Sequence, residues 1–456
     1  MKAFWIALFA LGALAIAETP GAIAIRNARI VTVSGPVINK GTIVLRNGLI
    51  EAVGENVTAP ADAWIVEGEG LTVYPGLIDG LSSFGMESAL PVGMPAAAAA
   101  GGGRVSIGAA APAVAYARGP EDRPMTTSWL RAADQVKNTD RRLELARNVG
   151  FTSAVTFPKT GIFAGQGAVI NLAAERNADM VIVPSAGQYI AMATNGFGGG
   201  GFPSALFGTI SYIRQIYLDA DRYKRVKAQY AANPVGLPRP EYDRALEGVI
   251  ESPRILLPAV REIEIRRMIR LAAEWKQPTI LYGLHDAYKT ADLIKTSGLP
   301  VLVSLKWPEK ARDGDPDDVE TLRTLEMRDK APSSPAALAK AGVLFAFYSD
   351  TIDAPRDIFK AVKKAMDQGL SQADALKAMT INVAKIYGVD NRMGSVEKGK
   401  IANLVVTSGE LLQERPPVKM VFIDGVKYDP TVEPAAPGGR FGAGATPTPG
   451  VLEGKN

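Results

Sequence analysis

The chain has 456 residues, 47% of them hydrophobic, and a formal charge of +4 from 51 Lys+Arg against 47 Asp+Glu. That length supplies more core than one small domain needs. The two signs are interspersed, and no basic stripe carries aromatics between its charges, so nucleic-acid binding gains no support. There is no cysteine and a single histidine, His285. Disulfides, thiolate nucleophiles and cysteine-held metal centres are thereby excluded.

Residues 1–17 read as an export signal. Lys2 gives the positive start, Phe4 to Ile16 is an apolar run, and Ala15-Ile16-Ala17 has the small-x-small form of a cleavage site. The run is short for a bilayer span, so a periplasmic or secreted location is expected, with an uncleaved N-terminal anchor as the other reading. No membrane span is expected after the signal is removed. Ala22 to Val33 then alternates like a half-buried strand. Thr42–Arg46 and Leu49–Val53 meet across Asn47-Gly48, a pair suited to a hairpin turn because both of its residues take positive φ. Trp64–Val66 and Leu71–Val73 continue the β texture.

From about Pro75 the pattern changes. Apolar runs at Thr152–Phe157, Ala168–Leu172, Met180–Val183, Thr279–Tyr282, Val301–Leu305 and Val343–Tyr348 alternate with helical segments. Glu262 to Trp275 keeps helical spacing, and Ser371-x-x-Asp374 resembles a capping box ahead of Leu376, Met379, Val383 and Ile386. Such alternation predicts a parallel α/β sheet, and the length suits a (β/α)8 TIM-type barrel. Pro95–Gly103 and Asn195–Ser204 read as flexible insertions, with mobile lids as the sharper alternative. Ser395–Glu397 with Ala402–Thr407 reads as a hairpin, and Val418–Asp424 with Val426–Tyr428 as another. The Pro/Gly-rich tail at 430–456 reads as disordered.

Several segments resemble the amidohydrolase superfamily. Val73-Tyr74-Pro75-Gly76-Leu77-Ile78-Asp79-Gly80 is similar to its strand-one signature. Gly394 to Val406 is similar to the return into its β domain, and Ala378 to Ala384 to its last barrel helix. Gly165 to Val169 and Asp286-Ala287-Tyr288 resemble the imidazolonepropionase-like branch. The resemblance implies an α/β fold: a barrel over 75–394 and a small β-sandwich domain built from both ends of the chain, 22–74 and 395–429.

It also implies one or two divalent ions, zinc above all, at the C-terminal ends of the barrel strands, where they would make hydroxide from bound water. The family's His-x-His pair follows strand one; here Leu81 and Ser83 stand in its place. The fifth-strand position reads Leu257-Pro258-Ala259, and His285 lies two residues past the sixth-strand ligand position. One imidazole cannot complete the usual set, so no metal ligand and no cofactor are expected. Asp350 matches the family's eighth-strand acid. It is read either as a catalytic base or as a structural group that caps its loop or pairs with Arg356 or Lys306. Asp350, Asp353, Asp286 and Glu262 gathering a hard cation is a further, disfavoured reading. His285, Lys306, Arg261, Ser83 and also Lys159 are candidates for lining a ligand pocket.

Two functions follow from the resemblance. One is an exported, non-catalytic barrel that binds a small molecule, acting as a homo-oligomer or beside a catalytically competent relative. The other is a hydrolase of carbon–nitrogen bonds in cyclic amides or N-acyl compounds, with Asp350 as base and an atypical or partner-completed site.

Overall fold

The computed structural model describes residues 21–86, 120–194, 201–310, 319–350 and 355–431. Residues 1–17, read above as an export signal, the Pro95–Gly103 stretch, residues 195–200, Asp353 and the tail from 432 lie outside them.

Strands from the two ends of the chain build one sheet. β1 (Ala22–Ile30) pairs antiparallel with β2 (Ile38–Arg46), which turns through Asn47-Gly48 into β3 (Leu49–Gly54). Asn47 and Gly48 take φ of 50° and 76°, as the hairpin requires. β4 (Ala63–Glu67) and β5 (Thr72–Pro75) both lie parallel to β1, at different stretches of it. The far end of the chain returns with β14 (Leu404–Thr407), β15 (Val418–Ile423) and β16 (Val426–Tyr428), giving the order β16-β15-β14-β5-β1-β2-β3. Ile25, Ile30, Ile43, Leu404 and Phe422 form its buried core.

One expected hairpin is absent. Ser395–Glu397 is not a strand, and β14 pairs instead with β5, Leu404 facing Pro75 and Thr407 facing Thr72. Glu397 accepts hydrogen bonds from Ser395 Oγ (2.7 Å) and Lys400 Nζ (3.2 Å). These local side-chain bonds hold a compact turn between Gly394 and Gly399, both at positive φ.

The second sheet is a nearly closed eight-stranded barrel: β6 (Leu77–Ser82), β7 (Phe151–Thr156), β8 (Phe163–Asn171), β9 (Val181–Ile190), β10 (Ile255–Ala259), β11 (Thr279–Gly283), β12 (Val301–Ser304) and β13 (Phe345–Tyr348), paired in sequence order. The all-parallel expectation fails at one strand: β8 runs antiparallel to both β7 and β9. The reason is the short link 157–162, because a parallel crossover needs about a dozen residues or more. The remaining pairs are parallel. Ile78, Val155, Val169, Leu256, Ile280 and Leu302, one from each of six strands, belong to a single buried cluster.

Around the barrel run α1 (Arg141–Arg147), α2 (Leu206–Ala232), α3 (Arg244–Glu251), α4 (Glu262–Trp275), α5 (Ala291–Ser297), α6 (Leu322–Lys330), α7 (Ser334–Ala341), α8 (Pro355–Asp367), α9 (Gln372–Ala378) and α10 (Ile381–Tyr387). α4 buries Ile265, Met268, Leu271 and Ala272, the face its spacing marks. Ser371 caps α9, its Oγ accepting from the Asp374 N–H at 3.0 Å. The helical run after it is two helices rather than one. Thr380 Oγ1 donates back to the Leu376 carbonyl at 2.6 Å, and the Met379 carbonyl is taken by the N–H of Ile78 at 2.8 Å. That carbonyl serves the barrel instead of continuing the helix.

Candidate functional site

The site is the barrel mouth, at the C-terminal ends of the strands. β13 ends at Tyr348, and two residues on Asp350 takes φ of 50°, an uncommon conformation for a residue with a side chain. Its half-buried carboxylate accepts from Ser304 Oγ, at the end of β12, at 2.9 Å, and makes a longer contact of 3.5 Å with Tyr348 Oη. Ser304 Oγ also accepts the Lys306 N–H at 3.1 Å, so its own proton is free to point at Asp350. Burial, reinforced by the Asp350 charge, holds the Tyr348 hydroxyl well above its ordinary pKa, which keeps it a donor at neutral pH. Beside it, Tyr282 of β11 donates to the Ile190 carbonyl at 2.9 Å and stacks on Tyr189 of β9 with ring centroids 5.2 Å apart. Three tyrosines thus wall the upper barrel.

Lys159 follows the end of β7. Burial lowers its amine below the ordinary lysine range; the carboxylates of Asp350 and Asp79 oppose that, and the charges of Arg142 and Lys306 add to it. Lys159 is partly buried and makes no hydrogen bond or ion pair with the described residues. Asp79, on β6, is 2% exposed. Its Oδ1 accepts the N–H groups of Ser349 (3.0 Å) and Leu81 (3.3 Å), while Oδ2 is buried without a partner. Burial raises its pKa.

His285 sits past β11 behind Gly283 and Leu284, whose φ values are 111° and 58°. Backbone in this region gathers where a site fixes its side chains. The imidazole is buried, 5.8 Å between ring centroids from Trp307, and its Nε2 has no partner. Burial lowers its pKa, opposed by Asp350 and Asp286. Asp286 Oδ2 accepts the Glu262 N–H at 3.1 Å, at the start of α4.

Asp350 thus acts on both Lys159 and His285, and Lys159 also feels Asp79 and Lys306. Ser83 lies at the edge of the mouth, its Oγ accepting from Arg142 Nη1 at 3.1 Å. Arg261 is engaged elsewhere: its exposed guanidinium pairs with Glu264 at 2.6 Å, in the first turn of α4. The Arg356 side chain lies outside the described residues. Reading the sequence alone missed Ser304 and Tyr189. For Ser304 a signal existed, a polar residue closing the apolar run Val301-Leu302-Val303, since strand ends on this face carry barrel chemistry.

Where the family's first imidazole pair stands, this chain has Leu81, buried in the barrel cluster, and Ser83, bonded to Arg142. β10 ends in Leu257-Pro258-Ala259. Among the described residues no three His, Asp or Glu side chains gather as they would around a metal ion.

A family model described as the amidohydrolase family matches residues 264–427. Among solved structures, the amidohydrolase from Thermotoga maritima MSB8 is 27% identical with a TM-score of 0.70, over 90% of this chain and 100% of that one. Phenylurea hydrolase B shares the fold at 17% identity and a TM-score of 0.52, over 90% and 97% of the two chains. Among curated proteins, adenine deaminase 3 of Rhizobium meliloti (strain 1021) is 31% identical over 78 residues, 17% of this chain. That match spans 13% of the deaminase's own length. With its barrel, two-ended sheet domain, strand-one signature and these likenesses together, the chain belongs to the amidohydrolase superfamily.

Proposed function

We propose that this chain is an exported barrel, of the imidazolonepropionase-like branch, that binds a small molecule at its mouth without metal-activated hydrolysis. The observation that carries this reading is the donor set. A zinc centre asks for several imidazoles or carboxylates around one point. This mouth offers Leu81, Ser83 and the β10 run Leu257-Pro258-Ala259 at the ligand positions, with a lysine ammonium beside Asp350. These residues do not fit the family's ion. Export rests on the N-terminal sequence; intact mass of the mature protein from the exporting cell is expected to place its start at Glu18.

Metal content of the purified full chain tests the central claim. About one tightly held zinc or other transition ion per chain, the usual stoichiometry of a mononuclear site, would overturn it. Partnership is a separate matter: pull-down with mass spectrometry is expected to recover a competent relative if the chain is a partner subunit, and only itself if it is a homo-oligomer.

A second reading is hydrolysis of carbon–nitrogen bonds with Asp350 as base. It is supported by the likeness to the Thermotoga maritima amidohydrolase over 90% of this chain and by the placement of Asp350 against Ser304 and Tyr348. Turnover of a cyclic-amide and N-acyl panel, lost in Asp350→Asn, would favour it. Turnover unchanged in that variant would sink it.

A further inference from the structure

The end of the barrel opposite the mouth is closed by α10. Asn382 Nδ2 donates to the carbonyl of Phe345, the first residue of β13, at 2.9 Å, and Arg254, just before β10, donates to the Tyr387 carbonyl at 2.8 Å. A cavity of about 700 Å³ lies here, between α9, α10 and the turn Glu397–Lys400 that leads into β14. That is the size of a small-molecule site. Every residue lining it falls within the unbroken stretches 21–86 and 355–431. Lys377, in the last turn of α9, Lys385, in the last turn of α10, and Lys398 all border it. None of these ammonium groups makes an ion pair or hydrogen bond with a described residue. Two acids also line the cavity, Asp390 and Glu397. Glu397 is spent on its own turn: hydrogen bonds from Ser34, Ser395 and Lys400 bring its pKa down to about 2. Asp390 is left to face Lys377, Lys385 and Lys398, so two positive charges stand in excess.

We propose that this cavity binds a phosphate group, free or carried by a small molecule, between the ammonium groups of Lys377, Lys385 and Lys398. A phosphate monoester carries about −1.5 to −2 charges at neutral pH, which matches the excess; a single carboxylate would leave part of it unmet. Lysine receives phosphate as a point charge on a flexible stem, so three lysines from three segments can converge on one group. Lys377 and Lys385 also complement the ends of their helices, but Lys398 belongs to no helix, and helix ends do not require that all three border one cavity. A ligand here would join the two barrel helices to the turn entering the sheet domain, independently of what the mouth binds.

The test is titration calorimetry on the full chain with inorganic phosphate, ribose 5-phosphate and ribose at constant ionic strength. Both phosphates are expected to bind and ribose not; a tighter ester assigns the site to a phosphorylated molecule, and equal affinities assign it to the free ion. Lys385→Met is expected to weaken phosphate by about tenfold, the scale of one charge-assisted contact, and the triple change of Lys377, Lys385 and Lys398 to Met to abolish binding. Lys224→Met, an equal charge change at an exposed site on α2, is expected to change nothing. Thermal melts separate binding from a purely structural role. Phosphate should raise the wild-type melting temperature by mass action, and that rise should vanish in the triple variant. A triple variant that melts lower yet keeps the phosphate-dependent rise overturns the proposal. So does failure of both phosphates to bind the wild type, ribose binding as well as its phosphate, or a loss in Lys224→Met equal to that in Lys385→Met.

Discussion

Asp79 Oδ1 accepts the backbone N–H of Ser349 at 3.0 Å, and this bond ties the first barrel strand to the segment leaving the eighth. The strands on either side of this seam are not joined in the ladder that runs from β13 to β6 the long way round. The side chain bridges the place where the barrel would otherwise gape. Asp79→Ala strips a partner from the Ser349 and Leu81 N–H groups and is expected to cost about 1–3 kcal/mol of stability, read by denaturant unfolding. Its pH dependence has a definite sign. Burial raises the folded pKa above the ordinary 3.8, so the contribution of the protonated form is whole below that value and lost as pH climbs through the raised one. The wild type should therefore lose stability relative to Asp79→Asn as pH rises from about 4; the opposite slope would contradict the assignment.

The same seam is crowded at Gly80. A Cβ there would lie 2.7 Å from the Phe347 carbonyl oxygen, a backbone atom that cannot swing aside. Gly76 is tighter still, 2.0 Å from Thr152 Oγ1. Each glycine-to-alanine change is expected to lower stability by about 1–3 kcal/mol through overpacking. Thermal melts check this, with Gly399→Ala as a poor control because φ there is 86°. An unchanged melt for Gly80→Ala would mean the seam is looser than described.

His285 is the chain's sole histidine, so its imidazole can be titrated by proton NMR without assignment mutants. Burial lowers its pKa below the ordinary 6.5. A group with a depressed folded pKa contributes stability that is present above its unfolded pKa and lost as pH falls. The expected outcome is a midpoint below 6.5 and a loss of stability on acidification that His285→Gln lacks. A midpoint at or above 6.5 would show the imidazole to be more hydrated or more strongly paired than its surroundings indicate.

Ser304 and Asp350 are expected to be energetically coupled. In a double-mutant cycle of Ser304→Ala and Asp350→Ala, the interaction energy should be about 1 kcal/mol, the ordinary worth of one such hydrogen bond, somewhat more with a charged acceptor. Additivity within experimental error would mean that Ser304 serves only the Lys306 N–H.

What the sequence determined by itself is local. Asn47-Gly48 sets a hairpin because its backbone must enter positive φ, Ser371 starts a helix because its hydroxyl reaches the Asp374 N–H, and the strand-one signature marks the superfamily because its residues stand together in the chain. The presence of a single histidine likewise limits what any fold could assemble. Tertiary structure decided what depends on distance across the fold. The antiparallel course of β8 follows from which strand its short link lets it reach, and β14 lies between β15 and β5 rather than pairing with Ser395–Glu397. The pairing of Ser304 with Asp350, and of Arg261 with Glu264 rather than with the mouth, depends on side-chain directions that no spacing records. Hydrogen bonds and charges act through space within a few ångströms, and only the folded chain says which groups are that close.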